Sequence, residues 1–137
     1  GYYYNEKKNF PENKFEGHCG ITSKNYSFLT QVKKINPDLR TGYIMTMTYG
    51  SIAGVSSADF FSVKYTYIDR EFVQEAHALG KEVHAWTVNY RGDIKKMLDA
   101  GVDNIITDNP VLVRKVENQE SDAQTGFLEL MKYAFKI

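Results

Sequence analysis

The chain has little cysteine, little proline and no excess charge. Its 137 residues include one cysteine, one tryptophan and three prolines. A single cysteine, Cys19, cannot form an internal disulfide, which excludes a small secreted scaffold held together by disulfides and leaves an inert thiol as the expected role. Lysine plus arginine and aspartate plus glutamate number 17 each, so the net charge favours neither nucleic acid nor an anionic membrane as a partner.

Long apolar runs are also missing. No stretch approaches the ~20 apolar residues of a membrane span, and the first residues lack the apolar core of a signal peptide. The chain opens at Gly1 without an initiator methionine, so we expect a cut or processed start. The compartment stays unknown, and a membrane anchor elsewhere in the parent protein stays open.

The composition is that of a globular protein, with 42% hydrophobic and 25% charged residues. The length is sufficient for one domain with a sizeable core. We predict a polar arm, or the remnant of a preceding element, at residues 1–16, and alternating strands and helices at residues 17–118. Residues 119–137 are predicted to contain a polar break followed by an amphipathic helix.

Hydrophobic periodicity and turn residues place five strands and five helices. The predicted strands are residues 17–23, 41–49, 59–65, 82–88 and 104–107. The predicted helices are residues 24–36, 70–79, 92–100, 110–116 and from 126 onward. Alternation of strand and helix favours parallel pairing, because parallel neighbours need a crossover connection. An open doubly wound sheet and part of a (β/α)8 barrel both fit this order, so the pattern alone leaves the α/β architecture open.

Residues 80–89 and 101–110 are the most specific sequence motifs in the chain, Gly-Lys-Glu-Val-His-Ala-Trp-Thr-Val-Asn and Gly-Val-Asp-Asn-Ile-Ile-Thr-Asp-Asn-Pro. Together they resemble the last two β/α units of the glycerophosphodiester phosphodiesterase family, most closely its bacterial members with a membrane domain ahead of the catalytic barrel. Residues 23–29, 41–45 and 59–63 are similar to the family's fourth to sixth strands. The resemblance implies the C-terminal part, about five strands, of a TIM-type barrel.

The resemblance also implies a reaction, the metal-dependent hydrolysis of glycerophosphodiesters to glycerol 3-phosphate and an alcohol. The family binds Mg²⁺ or Ca²⁺ through carboxylates on its early strands, which carry a His-Arg pair, a Glu-x-Asp pair and a Glu-x-Lys pair. Here there is no His-Arg pair, and the one Glu-x-Asp, Glu120 to Asp122, lies in the predicted polar break. We therefore assign no catalytic residue, metal ligand or bound cofactor, expect the cation only in the intact enzyme, and expect the isolated chain to be inactive.

A non-catalytic reading stays open beside the enzyme reading. The chain would then be a barrel remnant that serves as a binding or interaction module. Five strands of an eight-stranded barrel leave two unpaired edges and an exposed inner face. We expect the missing N-terminal strands or a second copy of the chain as the partner, or else closure by the last helix through Phe127, Leu130, Met131 and Phe135.

Three residues are candidates for substrate binding, Trp86, His84 and Ser23. Strand alternation places His84, Trp86 and Val88 on one face. Trp86 either lines the mouth of the site as an apolar wall or packs in the core beneath the helices. His84 shares its face, and Ser23 would offer a hydroxyl at the end of the first strand.

The remaining polar candidates have simpler alternatives. Asp108 either caps the helix that begins at Pro110, with Asn109 as the rival cap, or points into the pocket. Lys64 either reaches a phosphate or is solvated. His77 is expected to be a partly exposed helical histidine, and His18 has no carboxylate partner at motif spacing.

Overall fold

The computed structural model describes residues 19–47 and 51–135. The predicted arm at residues 1–16 and the candidate His18 lie outside these ranges. The elements in chain order are β1 (Gly20–Ser23), α1 (Tyr26–Ile35), β2 (Arg40–Met45), β3 (Phe60–Lys64), a 3-10 turn (Tyr65–Tyr67), α2 (Arg70–Ala78), β4 (Glu82–Trp86), α3 (Arg91–Ala100), β5 (Asn104–Ile105) and α4 (Pro110–Phe135).

The five described strands form one parallel sheet in the order β1-β2-β3-β4-β5. A doubly wound sheet reverses its strand order at a switch point, whereas the wall of a (β/α)8 barrel adds each strand beside the previous one. The sequential order therefore decides between the two predicted architectures in favour of the barrel wall.

The hydrophobic core lies between the sheet and the helices. Phe61 and Val63 of β3, and Val83 and Ala85 of β4, are 0% exposed. They pack against residues of α2 and α3, chiefly Phe72, Val73, Ala76, Ile94 and Met97. These strand residues are all odd-numbered, so the even-numbered residues point to the opposite side, called here the inner face.

Three helices begin at a residue whose side chain accepts a backbone N–H. Asn25 Oδ1 accepts from Phe28, Asp69 Oδ1 from Phe72, and Asn109 Oδ1 from Leu112, at 3.2, 2.8 and 3.1 Å. Each bond satisfies one of the first helical N–H groups, which have no partner within the helix. Of the two residues predicted as alternative caps of α4, Asn109 is the one that caps it.

The carboxyl-terminal helix differs from the prediction. In place of a polar break and a separate last helix, α4 runs without interruption over 26 residues from Pro110 to Phe135. Residues 117–125 contain no glycine or proline and include the good helix formers glutamate, glutamine and alanine, so polarity alone does not end the helix. Phe127 and Leu130, predicted to cover an open strand edge, are instead 59% and 63% exposed.

No helix within the described ranges combines the length and the apolar character needed to cross a membrane.

The amino-terminal edge of the sheet is tied by two equivalent aspartates. Asp59 donates its N–H to the Thr41 carbonyl and accepts the Thr41 N–H on Oδ2, both at 2.7 Å. Asp103 forms the same reciprocal pair with Val83, at 2.9 and 2.7 Å. Each aspartate directly precedes its strand, so each β/α pair is anchored to the strand before it.

Partial burial by itself raises the pKa of Asp103, but hydrogen bonds from His77 Nε2, at 2.8 Å, and from the Val83 N–H outweigh it. The pKa of this carboxyl therefore lies below its ordinary value of 3.8. A lowered folded-state pKa means that the stabilisation is complete above that ordinary value and is lost as pH falls through the folded-state pKa.

We expect Asp103→Ala to lower the free energy of unfolding at neutral pH by about 1–3 kcal/mol, because the N–H of buried Val83 loses its acceptor. The difference from the wild type should shrink below pH 3.8. Urea titrations at neutral and acidic pH measure both effects. Asp99→Ala, at a side chain that is 54% exposed, is the control; a loss of equal size in the control, or one independent of pH, would contradict the prediction.

Candidate functional site

A cavity of about 800 Å³ opens on the inner face of the sheet, within the size range of small-molecule sites. The strands and the loops at their carboxyl ends both contribute to it. Its lining includes Thr22, Arg40, Ile44, Phe60, Ser62, His84, Trp86, Thr87, Asn104, Ile106, Thr107 and Pro110. Parallel barrels carry their catalytic residues at the carboxyl ends of the strands. Lining residues near those ends are therefore the candidate site residues, and lining residues near the amino-terminal ends are expected to be structural.

A polar and aromatic cluster lies at the amino-terminal ends of β2, β3 and β4, and its Arg40 and Glu82 side chains are 44% and 45% exposed. Glu82 Oε2 accepts from Arg40 Nη2 at 2.7 Å and lies 2.9 Å from His84 Nε2. The Phe60 ring stacks on the His84 ring with centroids 4.2 Å apart, and the Arg40 guanidinium lies 5.5 Å from the Phe60 centroid. The Glu82 carboxylate thus bonds Arg40 and His84, and the Phe60 ring contacts both of these side chains.

Glu82 carries the negative charge of this cluster. Partial burial raises its pKa, but hydrogen bonds from His84 and Arg40 outweigh that effect and hold the pKa below its ordinary value of 4.5. His84 lines the cavity on the same face as Trp86, as predicted. Its Nε2 and one face of its ring are already engaged, so direct substrate binding by His84 stays a prediction.

Trp86 lies at the carboxyl-terminal end of β4, two residues nearer the expected site than His84. It lines the cavity and pairs in register with Lys64, the exposed last residue of β3. The indole Nε1 is buried and has no hydrogen-bond partner among the described residues. Trp86 thus lines the cavity and does not belong to the buried core cluster, while its role in substrate binding stays a prediction.

The predicted face of Val88 is wrong, because the chain leaves β4 before this residue. Val88 was predicted to share the face of Trp86, but it is 0% exposed within the helix-side core. The strand ends at Trp86 and its alternation ends with it, so Thr87 lines the cavity instead.

Ser23 does not line the cavity. It is an odd-numbered residue of β1, and its Oγ accepts the N–H of Asn25 at 3.0 Å in the turn that begins α1. The predicted role as a pocket hydroxyl is therefore corrected to a local turn contact.

Asp108 neither caps α4 nor lines the cavity. Asn109 provides the cap, and Asp108 Oδ2 accepts from Asn89 Nδ2 at 2.6 Å. Asn89 was not singled out from the sequence, where it appears only as the last letter of the Trp-Thr-Val-Asn run. The available signal was that Asn89 and Asp108 each directly follow a predicted strand, so that their polar side chains could meet at the same edge of the sheet.

Across residues 19–47 and 51–135, no three His, Cys, Asp or Glu side chains are grouped so that they could hold a metal ion. His77 is paired with Asp103, and Glu120 accepts from Lys95 at 2.8 Å on the surface of α3 and α4.

Comparison with known sequences agrees with this architecture. The sequence model of the glycerophosphoryl diester phosphodiesterase family matches residues 14–112. A glycerophosphodiester phosphodiesterase of Arabidopsis thaliana is 31% identical over 98 residues, covering 68% of this chain and 30% of that protein. One from Caldanaerobacter subterraneus is 34% identical over 115 residues, covering 79% and 47%. The chain thus spans less than half the length of these relatives.

Solved structures give the same result. A putative glycerophosphoryl diester phosphodiesterase of Silicibacter pomeroyi superposes with a TM-score of 0.65 and 29% identity, over 71% of this chain and 36% of that one. An Oleispira antarctica phosphodiesterase, solved with sn-glycerol 3-phosphate, has a TM-score of 0.63 at 21% identity, over 71% and 40%, and supports the fold. With a sequential parallel sheet and a family match over residues 14–112, the chain belongs to the glycerophosphoryl diester phosphodiesterase family.

Proposed function

We propose that this chain forms the C-terminal part of a metal-dependent glycerophosphodiester phosphodiesterase, which hydrolyses glycerophosphodiesters to glycerol 3-phosphate and an alcohol. The observation that carries the proposal is the cavity on the inner face, with Trp86 at the carboxyl edge of β4. Family membership supplies the reaction class. The chain's share of its relatives, 30% and 47% of their lengths, supports a partial contribution to the site.

In this proposal the chain binds substrate and leaves the reaction chemistry to other strands. The indole of Trp86 forms an apolar wall for the glycerol or alcohol moiety, and Thr87 and Thr107 belong to the same lining. His84 lies two residues closer to the amino-terminal end of β4, where its contacts with Phe60 and Glu82 fix the orientation of its ring. The carboxylates that hold Mg²⁺ or Ca²⁺, and the groups that move protons, come from the earlier barrel strands.

The partner of the open sheet is then the amino-terminal part of a barrel of this family. Among the described strands, β1 and β5 each pair on one side only. Exposed strand edges favour pairing with further strands. A second copy of the chain offers five more strands rather than the three that complete eight.

Complementation tests the proposal. The 137-residue chain is assayed with glycerophosphocholine, in Mg²⁺, in Ca²⁺ and with a chelator, alone and after coexpression with the amino-terminal part of the Caldanaerobacter relative. We expect no turnover from the chain alone and chelator-sensitive turnover from the pair. The carboxyl-terminal part of the relative itself is the positive control for assembly.

Two outcomes would contradict the proposal. Chelator-sensitive turnover by the isolated chain would show that it contains a metal site of its own. Turnover with the positive control but not with this chain would favour the non-catalytic binding module.

A further inference from the structure

One side chain, Asn89, joins the β4–α3 loop to the β5–α4 loop at the carboxyl edge of the sheet. Its Oδ1 accepts the N–H of Asp108 at 2.9 Å and the hydroxyl of Thr107 at 3.1 Å. Its Nδ2 donates to Asp108 Oδ2 at 2.6 Å. A backbone bond between the Val88 N–H and the Ile106 carbonyl, 2.9 Å long, runs beside it.

The two loops follow the paired strands β4 and β5 and form neighbouring parts of the cavity lining. Trp86 lies three residues before Asn89, and Thr107 and Pro110 line the cavity from the second loop. Thr107 Oγ1 also accepts the N–H of Asn109, at 3.0 Å, and Asn109 caps α4. Hydrogen bonds therefore run from the end of β4 to the first turn of α4, and Asn89 is their branch point.

The chemistry at position 89 is restrictive. Asn89 bonds both the N–H and the carboxylate of Asp108. An amide presents an acceptor oxygen and a donor nitrogen side by side for such a pair, whereas a serine or threonine hydroxyl offers a single oxygen. Aspartate at this position would face Asp108 with a second carboxylate, and alanine would leave the Thr107 hydroxyl and the Asp108 N–H without their acceptor.

We propose that Asn89 is a positioning residue that sets the distance between Trp86 and the wall formed by Thr107 and Pro110. It thereby sets the shape of the lining beside the indole, where the substrate contacts Trp86. The assignment of that shape to a glycerophosphodiester rests on the proposed function. The effect of Asn89 on the surroundings of Trp86 does not.

A charge-exchange experiment tests the proposal. Asn89→Asp places two carboxylates against each other. Adding Asp108→Asn restores all three bonds with donor and acceptor exchanged, because the carboxylate at position 89 then accepts from the amide, the N–H and the Thr107 hydroxyl. Trp86 is the sole tryptophan, so the fluorescence of the 137-residue chain reports this site alone. Asp99→Asn is the control for a change of charge.

In Asn89→Asp we expect a red-shifted emission and stronger acrylamide quenching of Trp86, with the far-UV circular dichroism retained and both values restored in the double variant. Asn89→Ala, which adds no charge, serves if Asn89→Asp does not fold. Unchanged emission in the single variant, or a double variant that remains shifted, would overturn the proposal.

The link to substrate is read in the complemented enzyme, where Asn89→Asp should raise KM more than it lowers kcat and the double variant should reverse this. If the complemented wild type shows no turnover but the fluorescence changes are as expected, the proposed function is contradicted and the positioning role of Asn89 is still supported. Turnover with an unaltered KM in Asn89→Asp would remove the role in substrate binding.

Discussion

Replacing Phe61 with alanine should lower the free energy of unfolding by about 3–5 kcal/mol, the usual loss for a buried aromatic in a core. Phe61 is 0% exposed, lies on the central strand β3 and packs against Phe72 with ring centroids 6.1 Å apart. Its removal leaves a cavity between the sheet and α2. The strands β2 and β4 on either side cannot fill this cavity without a shift of their backbone. Domains are stable by about 5–15 kcal/mol, so this loss is a large part of the total.

Equilibrium unfolding in urea measures the effect. Phe28→Ala is the matched control, since the same side chain at position 28 is 44% exposed on α1. The midpoint should fall strongly for Phe61→Ala and little for Phe28→Ala. Equal losses would mean that the core does not lie on the helix side of the sheet.

The second large effect is expected at Gly42, where a side chain would collide with Phe60. A Cβ atom at position 42 would lie 2.2 Å from Phe60 Cε2 and 2.3 Å from Cζ. The ring is 7% exposed and stacked on His84, so it cannot swing away without breaking that stack. Overpacking of this kind costs about 1–3 kcal/mol and at times more, and we expect Gly42→Val to reach the upper part of that range.

Gly54→Val is the control, because nothing lies within 4 Å of a Cβ built there. Urea unfolding should separate the two variants. The His84 ring proton resonances should also shift in Gly42→Val, since the Phe60 ring no longer lies parallel to the imidazole. A Gly42→Val variant as stable as Gly54→Val, with unmoved His84 resonances, would contradict the assigned packing.

Features that depend on neighbours in the chain were predictable. The caps at Asp69 and Asn109 need only a short polar side chain ahead of an amphipathic run, and Gly101 ends α3 in the left-handed region with φ of 88°. The placement of Trp86 on the inner face followed from the period of two along β4.

Predictions failed where a local rule met the end of an element. The alternation along β4 was extended to Val88, although the strand ends at Trp86 and the next residues turn. The polar residues 117–125 were taken for a break, although a helix continues where its residues are good helix formers and its exposed side needs no partner. Ser23 was assigned to the site from its position at a strand end, whereas its parity directs it to the turn before α1.

The sequence by itself determined the five strands, their alternation with helices as far as the start of α4, the family resemblance and the inner-face position of Trp86. The tertiary structure alone decided that the strands follow one another in sequential order, because an open sheet and a barrel wall share the same local pattern. It also decided the contacts of the cavity, the Arg40–Glu82–His84 cluster and the Asn89–Asp108 bridge. The Arg40–Glu82 and Asn89–Asp108 hydrogen bonds join residues 42 and 19 positions apart. The register of the strands brings these residues together, and no local periodicity of the sequence encodes that register.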